Sequence, residues 1–152
     1  MQLTLADIGA WILKGNPKMY AVQGLIGQPS FDDDWVVNPT YRTDLMEPGQ
    51  RVYLYVGGSQ KDPVPGIYAV GKVTRRPFAA KADEHWVDES DRGRPSLKVG
   101  ILLGEIALRC TRRELQAEPA LAQMELLRNP IMGNPVVVRP EENAILARLA
   151  HS

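Results

Sequence analysis

Several kinds of chemistry are excluded by residues that this sequence lacks. Its 152 residues include one cysteine, Cys110, and two histidines, His85 and His151. A lone cysteine forms no internal disulfide and no cysteine-based metal cluster, and it is predicted to be a small buried hydrophobe. The histidines fall in a polar stretch and at the C-terminus, so they form no metal-ligand cluster with Cys110. Glycine-rich phosphate loops of the GxxxxGK[ST] or GxGxxG type are missing as well. The sequence therefore predicts no metal, no cofactor and no catalytic residue.

An excess of charge and a long apolar run are also missing. The 18 basic and 18 acidic residues cancel, so the protein is no polycation that coats nucleic acid by charge alone, although a local basic patch remains compatible with this balance. No apolar run reaches the roughly 20 residues of a membrane span, and the N-terminus lacks a signal-peptide pattern. Together with the unpaired cysteine, these absences predict a single domain over residues 1–152, a cytoplasmic location and no membrane contact.

What the sequence does contain is a central pair of strand-like runs. Residues 52–56 (VYLYV) and 67–73 (IYAVGKV) are β-branched and aromatic, and a loop rich in Gly, Pro and Ser separates them. Arg75-Arg76-Pro77 is predicted to end the second strand, and residues 78–94 to form a long loop. Further short strands are predicted at residues 10–14, 35–38, 99–109 and 136–138.

Helix signals lie mostly in the last third of the chain. Thr111 and Glu114 have the spacing of a capping box, which predicts a short helix. Pro119 and Pro140 each stand where a first helical turn would begin. Single helical turns are predicted at residues 4–7 and 41–47. No βαβ rhythm is present, so the fold class is predicted to be α+β, with a mixed or antiparallel sheet curled into a small barrel.

Polar and aromatic residues cluster where the predicted strands end. An indole or phenol can stack on a nucleic-acid base, and an amide matches a base edge. The alternative is that the tryptophans belong to the core and that the Asn-Pro pairs are turn residues, which composition alone favours. The residues of this strand-end cluster are Lys14, Asn16, Trp35, Asn38, Tyr41 and Tyr55.

The aspartate run at 32–34 also allows two interpretations. It is either a cation site or, as we expect, a solvated loop.

A family resemblance favours the first interpretation. The segments WILKGNP (11–17), WVVN (35–38), PGQRVYLY (48–55), PGIYAVGKV (65–73) and GNPVVVRPEE (133–142) follow one another in the order typical of EVE domains. EVE domains belong to the PUA-like group, which also contains the YTH and ASCH domains. The resemblance implies a curved β-barrel of five to six strands with surrounding helices. It also implies a DNA- or RNA-binding module that recognises a modified base, for example a methylated one, in an aromatic pocket.

The same resemblance implies where the ligand binds. The pocket would lie between the loop after the first strand and the Trp-x-x-Asn segment, and Trp35 would stack on the base, a contact worth about 1–3 kcal/mol. Replacing Trp35 with Ala is then expected to abolish binding and to leave the fold intact. The implied base-binding residues are Lys14, Gly15, Asn16, Trp35, Val37, Asn38, Tyr41 and Tyr55. The implied phosphate-contacting residues are Arg42, Lys72, Arg75 and Arg76, with Lys14 beside them.

Two alternatives stay open at the level of sequence. ASCH relatives include ribonucleases, and in that case Lys14 would stabilise charge on the phosphate while Tyr41 or Arg42 assisted proton transfer. The other alternative is a small-molecule or protein interaction module that uses the same pocket. Relatives occur alone and alongside restriction or RNA-processing enzymes, so the resemblance is compatible with such a protein as a partner.

Overall fold

A computed structural model describes residues 2–16, 22–81 and 95–150. Its strands are β1 (Ala10–Gly15), β2 (Phe31–Val37), β3 (Arg51–Val56), β4 (Gly66–Lys81), β5 (Pro95–Leu103), β6 (Cys110–Thr111) and β7 (Val136–Val138). They form one mixed sheet in the order β2-β5-β4-β3-β1-β7, with β6 paired to β4. β1 and β3 are parallel, and the other pairs are antiparallel. The helices are α1 (Arg112–Gln116), α2 (Glu125–Arg128) and α3 (Pro140–Ala150).

The α+β class and the mixed sheet are confirmed, but the small curved barrel of five to six strands is not. The sheet has seven strands, and within the described residues its two outer strands, β2 and β7, do not pair. They come close at one end, where Asn38 N donates to Asn134 O at 2.9 Å. The sheet is thus curled and open.

Alternating residues of the central strands fill two separate cores, which explains why these strands are apolar throughout. On one face of β3, Val52, Leu54 and Val56 pack with Trp11 and Trp35. On the other face, Tyr53 and Tyr55 pack beneath the helical layer, as expected for a strand covered on both sides. That layer contributes Leu115, Leu121, Met124, Leu126, Leu146 and Ala150.

Three strand boundaries differ from those predicted. β4 continues through Arg75-Arg76-Pro77 to Lys81, because it pairs with β5 across register shifts that accommodate the proline. β2 begins at Phe31, so the aspartate run lies in a strand and not in a loop, and two of its side chains are exposed. Charged residues suit β2 because it is an edge strand, where they discourage pairing with other chains. β5 ends at Leu103 rather than at residue 109.

The helix predictions are largely confirmed. The side-chain oxygen of Thr111 accepts from Glu114 N at 3.1 Å, and the carboxylate of Glu114 accepts from Thr111 N at 3.0 Å. The helix predicted after Pro119 divides into a 3-10 turn and α2, because Met124 is extended (ψ 135°). Turns at Leu5–Asp7 and Tyr41–Leu45 confirm the two shorter predictions. No helix in the described ranges is long and apolar enough to span a membrane. Residues 82–94 of the predicted loop, with His85, lie outside the described residues, as does His151.

Candidate functional site

A concave site opens where the two parallel strands β1 and β3 end. The strands finish side by side, with Gly15 opposite Val56, and Gly57 N donates to Gly15 O at 3.0 Å. The cavity has a volume of about 720 Å³, within the range of about 300–1,000 Å³ found for small-ligand sites. We call it the β1–β3 cleft. Its lining residues are Lys14, Gly15, Asn16, Tyr55, Gly57, Gly58, Arg112, Gln116, Leu126, Leu127, Pro130 and Ile131.

Tyr55 and Arg112 form the aromatic and cationic parts of the wall. Burial raises the pKa of the Tyr55 phenol, and the adjacent Arg112 guanidinium acts in the opposite direction. Arg112 is held in place because its Nη2 donates to Gly58 O at 3.1 Å. The phenol is therefore neutral at physiological pH and able to donate a hydrogen bond, next to a fixed positive charge.

Lys14 attaches the end of β1 to residues 130–135, which we call the 130–135 segment. Its Nζ donates to Pro130 O at 2.6 Å and to Met132 O at 2.7 Å, and its backbone N donates to Asn134 Oδ1 at 2.7 Å. Burial lowers the pKa of this ammonium group. An ammonium has three donors, so the two carbonyls leave one N–H for a ligand in the cleft.

The structure does not bring Trp35 and Val37 into this cleft. Trp35 is 3% exposed and Val37 is 1% exposed, and both belong to the core on the opposite face of the sheet from Tyr55. The indole packs edge-to-face on Phe31, with ring centroids 5.8 Å apart. It lies directly behind Gly15, since a Cβ on that glycine would be 3.4 Å from Trp35 Cζ2.

The remaining predicted pocket residues lie on the far side of the 130–135 segment. Asn38 and Tyr41 line a separate recess of about 430 Å³, together with residues 132–135. The Asn38 amide packs against Gly133, where an added Cβ would displace the amide nitrogen. The Tyr41 hydroxyl accepts from Leu3 N at 2.9 Å. The predicted pocket residues are thus divided among the β1–β3 cleft, this recess and the core.

The predicted phosphate-contacting residues are similarly dispersed. Arg42 lines the recess and is engaged by Glu125 through two hydrogen bonds of 2.5 and 2.8 Å. Arg75 stacks over the Phe78 ring at 3.6 Å, and Arg76 pairs with Glu47 at 3.2 Å on the surface. Lys72 lines a different cleft, described below. Their role in phosphate binding stays a prediction, and so does the base-binding assignment.

The cleft also contains residues that the sequence did not single out. Arg112 and Gln116 lie on α1, and Leu126, Leu127, Pro130 and Ile131 come from α2 and the segment after it. Ile131 is 92% exposed, which is unusual for an aliphatic residue. Its position between two Asn-Pro pairs is a signal that could have indicated an apolar side chain presented on a turn.

The part of the chain that the structure covers contains no group of side chains suited to metal binding or to thiol catalysis. No group of three or more potential metal ligands occurs there. Cys110 is buried, and burial raises the pKa of its thiol to about 11, which keeps it protonated at neutral pH. The trio considered for ribonuclease chemistry is also divided, because Lys14 lines the cleft whereas Tyr41 and Arg42 line the recess.

A curled mixed sheet, a helical layer on one face and a mixed polar and apolar cleft define a small α+β binding module. The chain belongs to the EVE domain family, whose model matches residues 9–149. This confirms the family predicted from the order of the motifs, and no catalytic family is indicated.

Solved structures of the same fold cover nearly the whole chain. Rpa0253 from Rhodopseudomonas palustris is 19% identical, with a TM-score of 0.61 over 95% of this chain and 94% of that chain. A hypothetical protein from Leishmania major is 20% identical, with a TM-score of 0.60 over 97% and 98%. Human THYN1, solved in complex with DNA that contains 5-methylcytosine, is 16% identical, with a TM-score of 0.58 over 94% and 98%. No curated protein matches the chain in sequence. Because the sequence identities are only 16–20%, these structural similarities establish the fold alone.

Proposed function

We propose that this EVE domain is a non-catalytic module that binds nucleic acid and takes a modified base, such as a methylated cytosine, into the β1–β3 cleft. The observation that carries the proposal is the family match over residues 9–149 combined with a structure of the same fold solved with 5-methylcytosine DNA. Aromatic, amide, cationic and apolar groups meet in this cleft.

The composition of the cleft suits a base removed from its stack. An extruded base loses a few kcal/mol of stacking and pairing, which hydrogen bonds to its edge and contact with aromatic or apolar groups must replace. Asn16 and Gln116 bring amides, each of which carries a donor and an acceptor. Tyr55 supplies a phenol, and Leu126 and Leu127 supply the apolar surface against which a methyl group would pack.

The rim of the cleft suits the sugar-phosphate backbone. Arg112 places a guanidinium at the cavity, and such groups bind phosphate with paired hydrogen bonds. Ile131 projects from the 130–135 segment beside it. An exposed apolar side chain at the mouth can insert between base steps and unstack them, as apolar wedges do in other nucleic-acid complexes.

The test compares Arg112→Gln with Arg113→Gln. Both replace an arginine of α1 and change the net charge equally, but Arg113 is exposed and does not line the cleft. Fluorescence anisotropy would measure the affinity for a duplex with one 5-methylcytosine and for its unmethylated counterpart, at a fixed salt concentration. Wild type and Arg113→Gln are expected to prefer the methylated duplex, and Arg112→Gln to bind it about 10-fold more weakly, as expected for a lost hydrogen bond to a charged group.

Three results would count against the proposal. Equal affinity for methylated and plain DNA, and for methylated and plain RNA, would show that the domain does not recognise the modified base. Equal affinity of the two arginine variants would place the ligand outside the β1–β3 cleft. If no oligonucleotide raises the thermal midpoint, the pocket serves a small molecule or a protein instead.

A further inference from the structure

A second basic cleft lies at the opposite end of β3. It has a volume of about 580 Å³, and three of its lining residues are cations, Arg51, Lys72 and Arg109. Val70 and Leu102 contribute apolar surface, and no acidic residue is among the described residues that line it. We call it the Arg51 cleft. It shares no lining residue with the β1–β3 cleft.

The sheet register places two of these cations side by side. Arg51 on β3 is directly opposite Lys72 on β4, so the two side chains project from the same face of the sheet. Like charges at directly opposed positions destabilise a strand pair. Arg109 approaches from the segment between β5 and β6, where its Nη2 donates to Glu105 O at 2.9 Å. An anion bound between the cations would remove their repulsion.

The guanidinium of Arg51 carries a second indication. Its Nη1 is buried and has no hydrogen-bond partner among the described residues. The rest of the guanidinium lies against the Tyr53 hydroxyl, which donates to Asn143 Oδ1 at 2.6 Å and still accepts from Arg51. Buried donors of charged groups are almost always paired, so the unpaired Nη1 leaves the charge of Arg51 only partly compensated by the protein. A phosphate group is an acceptor that matches the geometry of a guanidinium.

We propose that the Arg51 cleft is a phosphate-binding site, and that its ligand is a phosphodiester of the nucleic acid whose base occupies the β1–β3 cleft. This proposal rests on the proposed function for the identity of the ligand. Arg51 and Tyr55 are on the same face of β3 and four residues apart, or about 13 Å at the rise of a strand. The helical layer covers Tyr53 between them, so a ligand that contacts both clefts has to pass around this layer and be longer than the roughly four nucleotides that 13 Å spans along B-form DNA.

The experiment uses Arg51→Gln and Lys72→Gln, with Arg113→Gln as the matched control. Lys72 is exposed, so its replacement tests the site even if Arg51→Gln weakens the fold. The affinity for methylated and plain duplexes of about 12 base pairs would be measured across a salt series. Each cleft variant is expected to bind several-fold more weakly and to reduce the slope of log K against log salt by about 0.9, with no change in the preference for the methylated base.

The outcomes separate this proposal from the proposed function. If methylation preference is absent but the slope still falls in the two variants, the phosphate site stands and the base-reading proposal fails. If the variants bind DNA as wild type does, the phosphodiester proposal is overturned. In that case a rise of the thermal midpoint with inorganic phosphate at constant ionic strength, lost in Lys72→Gln, would assign the cleft to a free phosphate.

Discussion

At the scale of single residues, the position of Trp35 determines what its replacement measures. The indole fills the core behind Gly15 and contacts Phe31, and only 3% of it is exposed. A base cannot stack on a face that the core already covers. The expectation that Trp35→Ala removes binding while leaving the fold intact is therefore replaced by an expectation about stability.

We expect Trp35→Ala to lower the free energy of unfolding by about 3–5 kcal/mol, because a large buried ring leaves a cavity. Trp35→Phe retains most of the volume and is expected to cost less. Urea unfolding followed by circular dichroism measures both. An alanine variant as stable as wild type would contradict the burial of the indole.

At the scale of elements, the ion pair between Arg42 and Glu125 joins three parts of the fold. Arg42 lies in the 3-10 turn Tyr41–Leu45, and Glu125 begins α2. The Oε1 atom of Glu125 also accepts from Val137 N on β7 at 3.1 Å. The side chains are 12% and 9% exposed, so the pair is largely shielded from water. It fixes the outer strand and α2 around the 130–135 segment.

This pair predicts a loss of stability in acid. Burial alone would raise the pKa of Glu125, but the hydrogen bonds from Arg42 and Val137 N outweigh it and lower the pKa below the usual 4.5. A depressed carboxyl pKa in the folded state stabilises the protein above about pH 4.5, and this contribution is lost as the pH falls through the folded-state value.

Glu125→Gln is accordingly expected to destabilise the protein at pH 7 and to flatten the decline of stability below pH 4.5. Arg42→Met leaves a buried carboxylate unpaired and is expected to cost about 3–5 kcal/mol. The exposed pair between Arg76 and Glu47 provides the control, because Glu47→Gln should cost no more than about 1 kcal/mol. Similar losses for Glu125→Gln and Glu47→Gln, from urea unfolding at several pH values, would argue against a structural role for the buried pair.

At the scale of the whole molecule, the two clefts lie at opposite ends of β3. A ligand confined to the β1–β3 cleft does not reach Arg51, whereas a longer strand can contact both. The domain would then contact a base in one cleft and, in the other, a backbone phosphate several nucleotides away. When one ligand occupies both clefts, the second contact is intramolecular, and the overall affinity exceeds that of either contact alone.

This arrangement predicts that the effect of Arg51→Gln depends on ligand length. The variant is expected to bind a free methylated nucleoside as wild type does and to bind a methylated 12-base-pair duplex several-fold more weakly. Isothermal titration of the two ligands against the two proteins would measure this. An equal loss for nucleoside and duplex would indicate a disturbed fold instead of a lost phosphate contact.

The sequence by itself determined the features that depend on neighbouring residues. The capping box of Thr111 and Glu114, the valine run of β7 and the apolar run of β3 are local signals, and the structure confirms each. The order of the motifs identified the family for the same reason, since it needs no knowledge of which segments meet. The family resemblance named Lys14, Gly15, Asn16 and Tyr55 together, and the structure places all four at one cleft because β1 and β3 pair in parallel and end there.

The tertiary structure alone decided which of the predicted residues share a cavity. Lys14 is held by Asn134, 120 residues away, and Arg42 by Glu125, 83 residues away. These contacts place the 130–135 segment between Asn38 and the β1–β3 cleft, and the turn of the sheet places Trp35 inside the core. The face that a side chain presents depends on strand register and on the elements that cover it. Both are set by burial of apolar surface across the whole chain, which no local pattern contains.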